Sequence, residues 1–306
     1  VKVWISHEAG RGLLGDIPAG VQVEVCADIA DPPSDPGGVQ FWVPSWVPGT
    51  RDLLTKLTDL KVIQLLSAGV DAWQGQVPDG VELCDARGVH DAPVAEWVLG
   101  ATIGALRGFP GYARAQSREH WGGDVVTPTA ELTGARVLIL GAGSIGRAVE
   151  ERMAPFGVSI TRVARTARPD EDVHGVDELP VLLPEADVVV LLIPLTESTR
   201  QLVDGAFLAA LPDGALLVNA ARGPVLDTAA LLTELGTGRI SAALDVTDPE
   251  PLPAGHPLWQ MENAFITPHI GGAVRGFLPR AYGLAGTQLR RFVAGVPLLN
   301  RVVGDY

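Results

Sequence analysis

Cysteine, lysine and long apolar runs are what this chain of 306 residues has least of. Its two cysteines, Cys26 and Cys84, stand far apart, with no CxxC pair and no disulfide framework. A reducing compartment, the cytoplasm, is the expected location, and no metal site is expected. Positive charge is also short: 23 Lys and Arg against 36 Asp and Glu leave a net charge of -13. That balance argues against nucleic acid or an anionic membrane surface as the main partner. It does not exclude a small anionic substrate, which needs only a local positive site. Arginine dominates the cations, which reads as coding bias. No apolar run reaches membrane-spanning length; residues 188–194 fall far short. The first five residues read as a strand and not as a targeting peptide. The start at Val1 in place of methionine implies processing or trimming.

What is there describes a globular protein, with 47% hydrophobic and 19% charged residues and length enough for two domains. Two series of short apolar runs alternate with helical patterns. The first occupies residues 1–5, 21–26, 40–44, 61–66 and 81–84; the second 136–140, 160–164, 187–193, 214–220, 241–246 and 264–267. Continuous apolar runs suit strands buried on both faces, as in parallel sheets, and the intervening helices make βαβ units. One long helix is expected over residues 91–118, a linker or loop over 122–133, and a last helix over 277–293 that returns to the first domain.

The most informative segment is Gly141-Ala142-Gly143-Ser144-Ile145-Gly146. An apolar strand, residues 137–140, leads into it. A helical pattern follows, with Ile145, Ala148, Val149, Met153 and Phe156 on one face. A GxGxxG between strand and amphipathic helix gives each glycine a task. Gly141 permits the tight turn, Gly143 lets a pyrophosphate approach, and Gly146 lets the helix sit close to the strand. The helix N-terminus supplies N–H groups and partial positive charge for phosphates.

Three later segments stand at strand ends, where open α/β sheets bind their ligands. They carry Arg222, Glu250 and His269. An arginine can hold a carboxylate with a bidentate fork, a histidine can exchange a proton near neutral pH, and a glutamate can orient the imidazole. Each also has a plain alternative: a solvated loop arginine, a surface glutamate in a Pro-rich turn, a histidine capping a helix.

The chain resembles the D-isomer-specific 2-hydroxyacid dehydrogenases, on the glyoxylate and hydroxypyruvate reductase-like side. The likeness is carried by residues 132–146, Pro194-Leu195-Thr196-Glu197-Ser198-Thr199, residues 219–227, Ala243-Leu244-Asp245-Val246, Pro249-Glu250-Pro251-Leu252-Pro253 and Thr267-Pro268-His269-Ile270-Gly271-Gly272. Ser67-Ala68-Gly69-Val70-Asp71 and Val94-Ala95-Glu96-Trp97 add to it. The resemblance implies two doubly wound parallel-sheet α/β domains. A flavodoxin-like substrate domain would comprise residues 1–96 and 276–306, and a Rossmann-type cofactor domain residues 97–275. It implies catalysis by Arg222, Glu250 and His269, with Arg222 on the substrate carboxylate and His269 protonating the carbonyl oxygen. It implies a substrate grip by backbone N–H groups of Ser67, Ala68, Gly69 and Val70. Cofactor contacts are implied at Gly141, Gly143, Ser144, Ile145, Gly146, Ala220 and Ala221, at Ile193 and Pro194 beside the nicotinamide, and at Asp245 on its carboxamide. A homodimer through the cofactor domain is implied, and the helix over residues 93–106 is a candidate contact.

The second strand of the cofactor domain should end beside the adenosine ribose, where NAD-using relatives commonly place an acid. This chain reads Ala164-Arg165-Thr166-Ala167-Arg168. Without the acid, Arg165, Thr166 and Arg168 can bind a 2′-phosphate; the plain alternative is an exposed basic loop. NADP(H) is expected in preference to NAD(H), with NAD(H) possible. Glu250 argues against formate dehydrogenases, which pair glutamine with the histidine, and the chain ends too soon for the added regulatory domain of the phosphoglycerate branch. Ala72, Trp97 and Val274 depart from common family residues and blur the substrate. Phe41, Trp42 and Trp46 either shape the substrate pocket or pack a core. The expected activity is NADPH-dependent reduction of a small 2-oxo acid such as glyoxylate or hydroxypyruvate to the D-2-hydroxy acid. An NAD-dependent dehydrogenase of a larger 2-hydroxy acid and a nucleotide-sensing scaffold of the same fold remain alternatives.

Overall fold

The computed structural model describes residues 1–45, 53–73, 75–121 and 129–304. It divides into two compact units, one of Val1–His90 with Val274–Tyr306, the other of Asp91–Ala273. Each is built on a parallel sheet, as the short apolar runs require.

The first unit holds β1 (Lys2–Ile5), β2 (Gln22–Val25), β3 (Val39–Val43), β4 (Val62–Gln64) and β5 (Glu82–Cys84), in the order β2-β1-β3-β4-β5. This is the flavodoxin-type order. Alternate side chains feed opposite faces: Val3, Ile5, Phe41 and Val43 enter one core, Trp4, Trp42 and Ile63 the other. Phe41 and Trp42 are therefore core residues, while Trp46 lies outside the described residues. The helix Phe277–Val293 belongs to this unit and packs Ala281, Tyr282, Ala285 and Leu289 onto the β1 side. Its contact with the segment after the first short helix is at backbone distance. A Cβ on Gly286 would stand 1.8 Å from the Leu14 carbonyl oxygen.

The second unit holds β6 (Arg136–Leu140), β7 (Ser159–Ala164), β8 (Val173–Gly175), β9 (Val188–Leu191), β10 (Leu216–Asn219), β11 (Ser241–Leu244) and β12 (Ala264–Ile266). Their order, β12-β11-β10-β9-β6-β7-β8, is the dinucleotide-binding arrangement extended by one strand. The chain reverses direction across the sheet between β6 and β9, and ligands bind outside the carboxyl ends at such a switch point. Leu138, Leu140, Val189, Leu191 and Leu217 fill one face, Val137, Ile139, Val188, Val190 and Val218 the other.

Two expectations need correction, and one strand was missed. The helix expected over 91–118 is two helices, Asp91–Leu106 and Phe109–Ser117, because Gly108 adopts a left-handed conformation (φ 69°) and Pro110 follows it. Phe156 leaves the buried face of the helix Ser144–Met153: it falls in the 3-10 turn Ala154–Phe156 and is 37% exposed. The edge strand β8 has no apolar run, only Val173 and Gly175 buried on either side of His174, and was not expected. The expected linker at 122–133 lies mostly outside the described residues. Among the described residues, no helix is long and apolar enough to cross a membrane.

The Gly286 contact is with backbone and cannot yield by a rotamer change, so Gly286→Ala should lower stability by about 1–3 kcal/mol. Urea unfolding of the purified variant would measure it.

Candidate active site

Because β6, β7 and β9 to β12 run parallel, the segments that follow them emerge at one edge in strand order. From one side to the other they bring His269, then Asp245 and Glu250, then Ala220, Ala221 and Arg222, then Ile193 and Pro194, then the glycine loop, then Arg165 to Arg168. The three groups singled out for chemistry thus follow three adjacent strands, spaced about 4.8 Å apart.

The glycine loop meets the demands placed on it. Gly141 has φ 123°, and a Cβ there would be 2.6 Å from the Leu192 carbonyl oxygen. A Cβ on Gly146 would be 2.1 Å from the Gly141 carbonyl oxygen and 3.5 Å from Ile139 Cγ2, so the helix Ser144–Met153 starts pressed against β6. Gly143 differs: a Cβ there would meet nothing within 4 Å. The protein itself does not crowd that position, and the helix that starts behind it has no side-chain cap on its first N–H groups. An open glycine before an uncapped helix N-terminus fits the pyrophosphate of a dinucleotide. The Ser144 hydroxyl donates to Asp91 Oδ1 at 3.0 Å, which leaves its backbone N–H for a ligand.

At the end of β10, buried Asn219 shapes the turn, accepting from the Ala221 N–H at 3.0 Å and donating to the Arg222 carbonyl at 3.3 Å. The Arg222 guanidinium donates to the Ala221 carbonyl at 2.7 Å. Gly223 follows, where a Cβ would lie 1.9 Å from the Thr247 carbonyl oxygen. Glycine here is what lets the Arg222 turn and the segment leading to Glu250 touch backbone to backbone.

The imidazole of His269 has its Nδ1 2.7 Å from Glu250 Oε1. Nε2 is left for proton exchange with a ligand. His269 itself sits in the left-handed region (φ 55°), with its N–H donating to the Asp245 carbonyl at 2.7 Å and the Thr267 carbonyl at 3.0 Å. Asp245 is 4% exposed, and its carboxylate accepts from Thr267 Oγ1 (2.6 Å), the Ile270 N–H (2.8 Å) and the Gly271 N–H (2.8 Å). A buried carboxylate is tolerable only when so satisfied. Both oxygens are engaged with the 267–271 turn, so Asp245 fixes the backbone that carries His269. Its pairing with Thr267 depends on the fold and could not be read from spacing. Trp97 borders the same turn, since a Cβ on Gly271 would meet its Cγ at 3.5 Å.

Ile193 is buried at the end of β9, and the carbonyl of Pro194 accepts from Thr199 Oγ1 at 2.7 Å, which pins the 194–199 turn. On the far side Arg165 and Thr166 are exposed, while Arg168 Nη2 donates to the Ala142 carbonyl of the glycine loop at 3.1 Å. In the first unit, residues 67–70 follow β4, where Ser67 Oγ donates to the Gly69 carbonyl at 3.2 Å and Val70 is fully buried.

Removing the Asp245 carboxylate strands the buried Gly271 N–H, the part-buried Ile270 N–H and the Thr267 hydroxyl. Asp245→Ala should therefore cost about 2–4 kcal/mol of stability, on a scale of 1–3 kcal/mol for each unsatisfied buried group. Chemical denaturation would measure the loss.

Comparison with known proteins identifies the family. Residues 99–271 match the family model of the D-isomer specific 2-hydroxyacid dehydrogenase, NAD binding domain. A D-isomer specific 2-hydroxyacid dehydrogenase from Xanthobacter autotrophicus Py2, solved with NADPH and MES, superposes with a TM-score of 0.85 at 32% identity, covering 99% of this chain and 98% of that one. An NADPH-dependent glyoxylate/hydroxypyruvate reductase from Sinorhizobium meliloti, solved with NADP and sulfate, gives 0.84 at 27% identity, covering 98% of each chain. A glyoxylate reductase from Thermofilum pendens is 32% identical over 80% of this chain and 75% of its own length. With two parallel-sheet α/β units and an NAD-binding domain carrying these motifs in order, the chain belongs to the D-isomer-specific 2-hydroxyacid dehydrogenase family of oxidoreductases.

Proposed function

We propose that this protein reduces small 2-oxo acids, glyoxylate and hydroxypyruvate foremost, to D-2-hydroxy acids with NADPH. The observation that carries the reading is the His269–Glu250 pair at 2.7 Å, on the same sheet edge as Arg222 and the glycine loop. The glycine loop and the helix behind it would hold the cofactor pyrophosphate, Ile193 and Pro194 would flank the nicotinamide, and the residues after β7 would take the 2′-phosphate. When bound, the reduced nicotinamide supplies a hydride to the 2-oxo carbon. Arg222 binds the substrate carboxylate with its planar fork. As negative charge grows on the carbonyl oxygen, His269 donates a proton to it and the positive charge of Arg222 stabilises it. Glu250 accepts from Nδ1 of His269 and holds the ring in one orientation. The imidazole then recovers its proton from solvent.

The NADPH-bound and NADP-bound relatives support the cofactor, and the glyoxylate and hydroxypyruvate reductases support the substrate class. The end of β7 supports the same cofactor, with Ala164 followed by Arg165 and with Arg168 anchored at the glycine loop. We also propose a homodimer. Leu99, Ile103 and Leu106 lie on one face of the helix Asp91–Leu106 and are only half-buried, and Phe109 beyond them is 56% exposed.

Oxidation of NADPH and of NADH should be followed across glyoxylate, hydroxypyruvate, pyruvate, phenylpyruvate and branched 2-oxo acids. Turnover is expected with NADPH and glyoxylate or hydroxypyruvate, falling about a hundred- to ten-thousand-fold in His269→Ala. Strong NADH preference would overturn the cofactor reading, and tight nucleotide binding without turnover would point to a sensing or scaffold role. Light scattering should give the mass of two chains, and a monomer at working concentration would refute the dimer.

A further inference from the structure

The loop after β7 does more than present arginines. Glu171, the last residue of the 3-10 turn Pro169–Glu171, places its Oε2 3.3 Å from Arg147 Nη2 and 3.6 Å from Arg168 Nε. Arg147 comes from the helix behind the glycine loop, and Arg168 is the side chain tied to the Ala142 carbonyl. One carboxylate oxygen is thus shared by two guanidinium groups at the margin of the glycine loop. The backbone holds it there from both sides: the Glu171 N–H donates to the Arg168 carbonyl at 2.9 Å, and its own carbonyl accepts from Arg162 Nη2 at 2.6 Å.

An oxygen of an arriving phosphate would seek the same donors for the same reason. We propose that Glu171 is an internal competitor for the cofactor's 2′-phosphate, an anion of the enzyme's own that the phosphate displaces from Arg147 and Arg168. It thereby sets how strongly NADP(H) is preferred over NAD(H), and the inference rests on the NADP(H) reading above. A phosphate monoester carries about two negative charges at neutral pH against one on the carboxylate, so the exchange runs forward. All three side chains are partly exposed, so the pairs that must break are weak ones. A nucleotide without the 2′-phosphate leaves Glu171 where it is. Arg147, which spacing alone did not single out, becomes a phosphate ligand in this scheme.

The test is calorimetric binding of adenosine 2′,5′-bisphosphate and of AMP to the purified enzyme, with no turnover involved. Glu171→Gln keeps the shape and both backbone bonds. It should bind the bisphosphate about three- to tenfold tighter at low ionic strength, with AMP affinity unchanged and the gain shrinking in high salt. Asp170→Asn removes the neighbouring charge in the same turn and should give a markedly smaller gain. Equal gains in the two variants, or no gain in Glu171→Gln, would overturn the proposal. Weakened AMP binding in Glu171→Gln would also overturn it, by making Glu171 a ribose ligand. If wild type favours the bisphosphate and Glu171→Gln does not alter the ratio, the competitor idea falls while the NADP(H) reading stands. If neither protein favours the bisphosphate, both fall.

Discussion

Burial of the central strands on both faces is the constraint from which the rest follows. Every residue of β9 is buried, and the last four of β6 alternate between two separate cores. A polar side chain placed within such a strand pays desolvation with no water in reach. The chain therefore keeps its polar chemistry beyond the strands, and parallel pairing gathers those positions along one edge. Asn219, at the end of β10, is fully buried and shapes the Arg222 turn.

The same economy governs Asp245. The resemblance gives it a contact with the nicotinamide carboxamide, while the geometry gives both its oxygens to the turn that carries His269. The position of His269 is thereby tied to β11 and β12 and not to an independent loop. Gly223 does the corresponding work for Arg222, letting its turn rest on the Thr247 backbone. A side chain at that one position would wedge apart the segments that hold the arginine and the glutamate.

Much of this was legible in the sequence because strands buried on both faces leave unbroken apolar runs. The glycine loop was legible because Gly141 and Gly146 answer to backbone contacts that no other residue tolerates. Where a signal depended on pairing across the fold, it was not there to read. β8 is a three-residue edge strand with one large apolar side chain. Asp245 looks the same in sequence whether it faces a ligand or a turn. Arg147 is an exposed helical arginine whose meaning comes from Glu171, distant in the chain. The break at Gly108 was written in Gly108-Phe109-Pro110, but an apolar pattern running through it concealed the stop.

The helix Phe277–Val293 closes a core whose other members come from the first ninety residues. During synthesis the ribosome releases those early strands long before Ala281, Tyr282, Ala285 and Leu289 exist to cover them. The intervening unit, with both of its cores made from its own residues, is complete before that helix emerges. Domains generally fold as units in the order of synthesis, but here the inserted unit can finish first. The opening segment waits with one apolar face uncovered, the one this helix will cover.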